Sequence, residues 1–441
     1  MNRAKFYNRL GRLYDLINNE EDARVCKDIS EDACNYIPLN YFLIIISNTL
    51  TQLGDVLSNP KTLLAWLMNY INAPLYLISF IVPIRESGSM LPQILIASYI
   101  RRLGIRKWVW VIGAVMQFVS IGAIGLIALN FKGVQAGWLI ILFLVTFSLS
   151  RGLSSVASKD ILGKTIPKTR RGRLKGYTTA VSGILVVIAG LYMMVKTTNG
   201  EAGIEFYGSI LFFAASLWIF AAIVYSGIKE YSGENEGGGN AFKKALERLD
   251  ILKTDKPFRI FVIARSLLLC SALTAPFYVV LAQKYLGNES DILALFIIAN
   301  GIASVISAPV WGKMADYSSK GVMVKAAIIT SGLGIVAFAV ITWIPVLRNS
   351  NWFYPVAFFI LGIAHSGVRL GRKTYVVDLA GGNKRTDYVA VSNTVIGFIL
   401  LITGGISALA SLISPEGVIL VLSLFGIAGA FTGSKLPEVE D

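Results

Sequence analysis

Twelve apolar stretches, each about as long as a membrane-crossing helix, dominate this sequence. The hydrocarbon core of a bilayer is about 30 Å thick and takes about 20 helical residues. Only 15% of the chain is charged, whereas soluble proteins carry about 25%. Because backbone groups in lipid must hydrogen-bond within the chain, and barrel-type alternation is missing, every stretch is predicted to be a helix. The predicted spans are 40–68, 75–99, 107–130, 137–160, 177–196, 206–227, 259–283, 291–312, 322–345, 352–375, 389–412 and 416–432.

Lysine and arginine are concentrated in every second loop between these spans. Arg101, Arg102, Arg106 and Lys107 follow the second span, and six basic residues lie within 164–175, whereas the alternate loops carry one basic residue or none. The positive-inside rule places the basic loops, and with them both chain ends, in the cytoplasm. The net charge of +14 is then an orientation signal and gives little support to nucleic acid binding. We expect a multi-pass protein of a bacterial inner membrane.

The polar residues before the first span predict a cytoplasmic N-terminal segment, 1–36, with no cleavable signal peptide. Apolar residues at helical spacing within 3–17 predict an amphipathic helix there. Such a helix would lie on the anionic lipid surface or pack on the protein's own loops. Cys26 and Cys34, with no neighbouring metal-ligand partners, are expected to be free thiols.

The two halves of the chain resemble each other at a shift of about 214 residues. This shift places Lys159 on Lys373 and Arg171 on Arg385, and it aligns span one with span seven. The repeat predicts two pseudo-symmetric six-helix halves joined by a cytoplasmic loop. The predicted divisions are 1–36 for the N-terminal segment, 37–228 for the first half, 229–257 for the central loop, 258–433 for the second half and 434–441 for a cytoplasmic tail.

The loop after span eight carries a Gly-x-x-x-Asp pattern in Gly312 to Asp316. Together with twelve predicted spans in two repeated halves, it resembles the major facilitator superfamily. The resemblance implies an all-α fold of twelve transmembrane helices, transport by alternating access, and a gating role for Gly312 and Asp316. The first-half copy departs, since Arg101 stands where the aspartate is expected. Arg102 and Arg106 keep the basic tail of the motif and are predicted to belong to the gating loops.

Polar residues inside the spans lie on single helix faces. A charge in mid-membrane costs at least about 2.5–3.5 kcal/mol, so such residues are expected to face a polar cavity. Span one carries a stripe with Gln52, Asp55 and Asn59, and span two carries Arg85 and Glu86 near the membrane midplane. Span four has Arg151 and Ser155 at helical spacing, and span ten has His365 and Arg369. In the resembled family, spans one, four, seven and ten line the central cavity.

The deep cations outnumber the deep carboxylates, which favours an anionic or zwitterionic solute. The predicted substrate-binding residues are Arg151, Arg369, Gln52, Asn59, Arg85, Ser155 and His365. Arg151 and Arg369 lead this set, because guanidinium groups suit carboxylates and phosphates and the two come from opposite halves. The alternative is that these arginines pair with a carboxylate or reach to the membrane surface. Arg372 and Lys373 are expected to be gate or loop charges.

Asp55 and Glu86 are the predicted proton-coupling residues, because burial and nearby cations shift carboxylate protonation in opposite directions. His365, the single histidine of the chain, is a second candidate. Each of these residues could instead hold two helices together through a fixed bond.

The sequence contains no enzyme motif. It has no GxxxxGK[ST] phosphate-binding loop, and one histidine cannot build a catalytic triad or a histidine-rich metal centre. We therefore predict a monomeric secondary transporter without a cofactor or metal, with a small-molecule substrate, protons and the lipid bilayer as partners. The alternatives are proton-driven efflux of amphipathic drugs, and a transporter-like sensor or scaffold without flux.

Overall fold

A computed structural model describes residues 11–14, 34–100, 102–197, 202–232, 249–288, 290–315, 317–379 and 385–439 of the protein. Within these ranges the regular structure is helical, without a strand. The first group of helices comprises α1 (Ile37–Leu57), α2 (Leu63–Tyr70), α3 (Leu75–Met90), α4 (Gln93–Ile100), α5 (Lys107–Asn130), α6 (Gly133–Thr165), α7 (Lys168–Thr197) and α8 (Ile204–Ser226).

The second group of helices follows the central loop. It comprises α9 (Ile251–Thr254), α10 (Lys256–Leu267), α11 (Cys270–Leu273), α12 (Ala275–Leu286), α13 (Ser290–Ala315), α14 (Ser319–Trp343), α15 (Pro345–Arg348), α16 (Phe353–Leu379), α17 (Arg385–Ser411) and α18 (Pro415–Ser434). Among the described residues, ten helical segments are long and apolar enough to cross a membrane, judged by length and composition alone.

The first two predicted spans are not continuous helices. The span predicted at 40–68 breaks between α1 and α2, at residues 58–62, where Pro60 lacks an N–H group. The span predicted at 75–99 continues through Pro83 but breaks at residues 91–92, next to Pro92. Neither of these two spans is among the ten segments, which begin with α5. The seventh predicted span breaks twice, at residues 268–269 and again at Thr274, two residues before Pro276.

The helices pack in two groups that touch along specific pairs. In the first group α5 packs against α6 and α8, while α1 packs against α7 and α8. In the second group α14 packs against α16 and α18, and α13 packs against α16. Helix α3 meets α17, α7 meets α13, and α2 meets α12. These three contacts join the groups and enclose a central region between them.

One polar cap and one aromatic contact hold the chain at the face where α1 begins and where α8 and α18 end, which we call the terminal side. Asn40, fully buried in α1, exchanges two hydrogen bonds of 2.9 Å with the backbone of Lys229, just after α8. Tyr14 is buried against the Tyr41 ring, with ring centroids 5.2 Å apart. The described part of the amphipathic segment therefore packs on the protein itself.

Cys34 is part of a disulfide bond, so the prediction of a free thiol at this position is wrong. The sequence pattern could exclude a metal site but could not exclude pairing between two cysteines. Cys26 lies outside the described residues.

Candidate functional site

Asp55 lies between two arginines in the central region. Arg151, from α6, donates to both carboxylate oxygens of Asp55, and Arg85 Nη2, from α3, donates to Oδ1 at 2.9 Å. The Arg85 guanidinium also lies over the Phe147 ring, 4.6 Å from its centroid. Three helices of the first group, α1, α3 and α6, thus meet at one carboxylate. We call Asp55, Arg85 and Arg151 the arginine clamp.

Glu86 follows Arg85 on α3 but does not enter the arginine clamp. It is partly exposed, and no hydrogen bond to its carboxylate is found among the described residues. Its charge interacts electrostatically with Lys61, with Arg85, with Arg372 of α16 and with Arg151, in that order. Of the two predicted proton-coupling residues, Asp55 is therefore hydrogen-bonded by two cations, whereas the Glu86 carboxylate has no such bond among the described residues.

Lys61, in the break between α1 and α2, begins a hydrogen-bond chain that crosses from one helix group to the other. Its Nζ lies 3.1 Å from His365 Nε2, and His365 Nδ1 lies 3.1 Å from the hydroxyl of Ser271 in α11. An ammonium group only donates, so Nε2 accepts, Nδ1 carries the proton and Ser271 accepts from it. The Ser271 hydroxyl donates onward to the carbonyl of Leu268, 3.1 Å away. The imidazole in this arrangement is uncharged.

Two of the remaining predicted ligands, Gln52 and Asn59, accept hydrogen bonds. The Gln52 Oε1 atom accepts from the Ser182 hydroxyl of α7 at 2.6 Å, and the Asn59 Oδ1 atom accepts from the backbone N–H of Lys61 at 2.8 Å. Asn59 thereby supports the helix break. Ser155 is partly exposed on α6, one turn from Arg151.

The positive face of α16 includes Arg372, which the sequence predicts to be a gate or loop charge. His365, Arg369 and Arg372 recur at intervals of four and three, so they share one side of the helix. Arg369 is exposed, and the Nε atom of Arg372 is buried without a hydrogen-bond partner. Arg372 interacts electrostatically with Glu86 and with Arg369.

Arg265 of α10 is a buried cation that is not among the predicted ligands. It donates to the Ser392 hydroxyl and, at 2.9 Å, to Asn393 Oδ1, both on α17. Its exposed fraction is 6%. These partners are neutral, so Arg265 adds positive charge near the site.

The basic loop after α4 is tied down by carboxylates. Arg106 is buried and forms an ion pair with Asp160 of α6. Glu230, whose side chain is completely buried, accepts from the backbone N–H groups of Arg106 and Lys107, the latter at 2.7 Å, and pairs with Lys164 at 3.3 Å. All these partners belong to the first helix group or the segment directly after it. Arg102 is exposed.

The corresponding loop of the second group has a similar but more exposed arrangement. Glu438, after α18, pairs with Lys320 at 2.7 Å and accepts from the Ser318 hydroxyl. The hydrogen bond from Lys320 lowers the pKa of the Glu438 carboxyl. Gly312 lies on α13, with open space where a Cβ atom would stand. The predicted gating residue Asp316 lies outside the described residues.

The side opposite to the terminal side is closed over the site. Gln283, near the end of α12, donates to the carbonyl of Trp66 in α2 at 3.2 Å, and Trp66 is completely buried. At the terminal side, by contrast, Lys159, Arg369 and Lys373 are exposed. A solute reaching the arginine clamp would therefore enter from the terminal side.

Comparison with known proteins gives a consistent assignment of the fold. The family model of the Major Facilitator Superfamily matches residues 42–405. A D-xylose–proton symporter superposes with a TM-score of 0.70 at 13% identity, covering 91% of this chain and 98% of its own. The nucleoside transporter NupG, as a mutant, gives 0.69 at 13% identity, with coverages of 90% and 99%.

A further structural neighbour is a POT family transporter in complex with 5-aminolevulinic acid. It superposes with a TM-score of 0.69 at 11% identity and covers 89% of this chain and 94% of its own. At these identities the likeness concerns the fold. No curated protein sequence matches the chain.

Proposed function

The chain belongs to the Major Facilitator Superfamily and is a transporter rather than an enzyme; from this we propose that it moves a small anionic or zwitterionic organic solute by proton-coupled alternating access. The proposed architecture is twelve transmembrane helices in two six-helix halves, corresponding to the two helix groups. We further propose a monomer in a bacterial inner membrane with both chain ends cytoplasmic, since the terminal side carries the basic loops.

The excess of positive charge in the central region carries this proposal. Lys61, Arg85, Arg151, Arg369 and Arg372 surround the carboxylates Asp55 and Glu86. Unpaired charge in a low-dielectric region is costly, so an anionic group entering from the terminal side would be attracted. Arg151 and Arg369 remain partly or fully exposed and come from opposite halves. A solute held by both would join the halves at the centre of their rocking movement.

Glu86 is the favoured proton carrier. A proton placed on Asp55 would leave Arg85 and Arg151 facing each other without a counter-ion, whereas Glu86 has no such clamp. One structural neighbour is described as a D-xylose–proton symporter, so proton coupling is compatible with this fold. The bound 5-aminolevulinic acid of the POT family neighbour supports a solute with a carboxylate.

Uptake into proteoliposomes tests the proposal. Succinate, glycerol 3-phosphate and 5-aminolevulinic acid serve as labelled probes, with and without an imposed pH gradient. We expect one probe to accumulate, and accumulation to depend on the gradient in wild type but not in the Glu86→Gln variant. The matched control is Glu438→Gln, which removes a carboxylate at the terminal surface. Uptake indifferent to the gradient would contradict proton coupling, and binding of a probe without flux would support a sensor instead.

A further inference from the structure

The two carboxylates of the site are not equivalent, because Asp55 is already neutralised. Arg151 donates to both of its oxygens and Arg85 to one. Those hydrogen bonds occupy the carboxylate and part of both guanidinium groups. The three residues also lie on helices of one half, so they move together. The arginine clamp therefore belongs entirely to the first half and carries a net charge of +1.

His365 does not contribute charge to the opposite wall of the site. The Lys61 ammonium donates to Nε2, and Nδ1 donates to Ser271, which fixes the neutral tautomer. A protonated imidazole could not accept from Lys61. The groups facing it are Lys61, Arg369 and Arg372, all cationic, and this disfavours a further positive charge.

Besides Arg265, whose guanidinium donates to Ser392 and Asn393, three cations and one carboxylate lie in the part of the site outside the arginine clamp. Arg369 and Arg372 lie on one face of α16, three residues apart, and Lys61 approaches from the break between α1 and α2. Glu86 lies within electrostatic range of Lys61 and Arg372, and also of Arg85 and Arg151 in the arginine clamp. The surplus here is two positive charges. Unused donors are also present, since Arg372 Nε is buried and unbonded and Arg369 is exposed.

We propose that the solute carries two negative charges, as a dicarboxylate or a phosphate monoester does, and that Arg369, Arg372 and Lys61 bind it, with Arg151 at the edge of the same site. This inference rests on the proposed transport function and specifies its substrate class. Two guanidinium groups on one helix face suit a bidentate carboxylate or phosphate group. Arg372 and Lys61 are thereby assigned as specificity-determining residues. The neutral His365 holds Lys61 in position and is a positioning residue.

Ligands that differ by one charge at equal size provide the test. Binding to the purified full-length protein is measured by titration calorimetry for succinate against succinamate, and for glycerol 3-phosphate against glycerol 3-sulfate. We expect the dianion of at least one pair to bind about tenfold more tightly or better than its monoanionic partner, because one charge-assisted contact is lost. The pair that shows this difference distinguishes a dicarboxylate from a phosphate site.

Variants of Arg372 separate charge recognition from folding. Arg372→Gln is expected to weaken dianion binding about tenfold while changing monoanion binding less than about threefold, and Arg372→Lys to restore most of the difference. Arg259→Gln is the matched control, because Arg259 is an exposed arginine at the start of α10. Equal affinity for dianion and monoanion, or an equal loss for both in Arg372→Gln, would overturn the inference and leave anion transport standing. A protein that binds and transports neither would overturn both.

Discussion

At the scale of single residues, the arginine clamp depends on Asp55, because this carboxylate balances the charge of both Arg85 and Arg151. A guanidinium taken out of water is tolerated when it is paired and hydrogen-bonded. Asp55 provides the opposite charge and the hydrogen-bond acceptors for both Arg85 and Arg151. The side chain of Arg85 is 12% exposed, so water can screen it little once the carboxylate is removed.

Asp55→Asn is therefore expected to destabilise the protein. Removing one partner of a buried ion pair costs about 3–5 kcal/mol, and we expect the lower end because Arg151 is 36% exposed. Thermal unfolding in detergent would show the loss as a lower apparent Tm. Asp250→Asn is the control, because its pair with Lys253 is exposed and worth less than about 1 kcal/mol. Equal Tm values for the two variants would show that the arginine clamp contributes no stability.

Sequence reasoning predicted which polar residues lie deep in the membrane, but not how they pair. The stripe of span one predicts Asp55 inside the protein, and its side chain is 17% exposed in the structure. Its partners lie 30 and 96 residues away, and helix periodicity says nothing about which helices become neighbours. The neutral state of His365 was likewise unpredictable, since it depends on Lys61, 304 residues earlier.

At the scale of helices, close approach between the two groups depends on small residues. A Cβ atom added at Gly404 of α17 would lie 2.7 Å from Pro83 Cγ in α3, which is part of a rigid ring. The next residue, Gly405, has nothing within 4 Å of the same position. Substitutions at these two neighbouring glycines therefore test the contact between α3 and α17, because only Gly404 faces α3 closely.

Gly404→Ala is expected to lower stability by about 1–3 kcal/mol, because the methyl group must displace Pro83 or separate the helices. Gly405→Ala should be neutral or slightly stabilising, because alanine favours the helix over glycine. Thermal unfolding of both variants in the same detergent provides the comparison. If Gly405→Ala were the more damaging change, the packing of α3 on α17 would have to be revised.

The carboxylate caps of the two groups allow a second comparison. Glu230→Gln removes a fully buried charge from the backbone N–H groups at the start of α5, and it leaves Lys164 with a weaker partner. We expect a loss of about 1–3 kcal/mol, measured as the free energy of unfolding by denaturant. The negative charge of Glu230 also lies at the N-terminus of α5, where the positive end of the helix dipole stabilises it.

Glu438→Gln is the counterpart in the second group and should cost less than about 1 kcal/mol, because its side chain is 56% exposed. The pKa of Glu438 is lowered by its bond from Lys320, so its contribution exists above the unfolded-state pKa of about 4.3. That contribution disappears as the pH falls through the folded-state pKa. A larger loss for Glu438→Gln than for Glu230→Gln at neutral pH would contradict the role of burial.

The helix boundaries show why the span prediction was correct in part. Hydropathy located the apolar stretches, but it averages over breaks, so α1 with α2 and α3 with α4 were each predicted as one helix. Pro60 and Pro92 signalled local weakness, as did Pro83, yet α3 runs through Pro83. Whether a proline interrupts a helix depends on the neighbours that satisfy the freed carbonyl groups, and those are set by tertiary packing.

At the scale of the whole molecule, access to the site is one-sided. Lys373 is exposed at the terminal side, whereas Trp352 is exposed in the loop before α16 on the opposite side. In a background without native cysteines, Lys373→Cys should react with a membrane-impermeant thiol reagent only from the cytoplasm, and Trp352→Cys only from outside. Labelling of inside-out and right-side-out vesicles checks both. The reverse pattern would contradict the proposed orientation.

The hydrogen-bond chain through His365 also has a consequence for how the protein is made. Asp55 and Arg85 are 30 residues apart, so the first pair of crossings can enter the bilayer with its charges matched. Lys61 must wait for an imidazole 304 residues further on, which takes the ribosome roughly 15–60 s at about 5–20 residues per second. For that interval the growing chain carries an ammonium group in the membrane without its final acceptor. Biosynthesis thus leaves the first half incomplete until the helix bearing His365 has been inserted beside it.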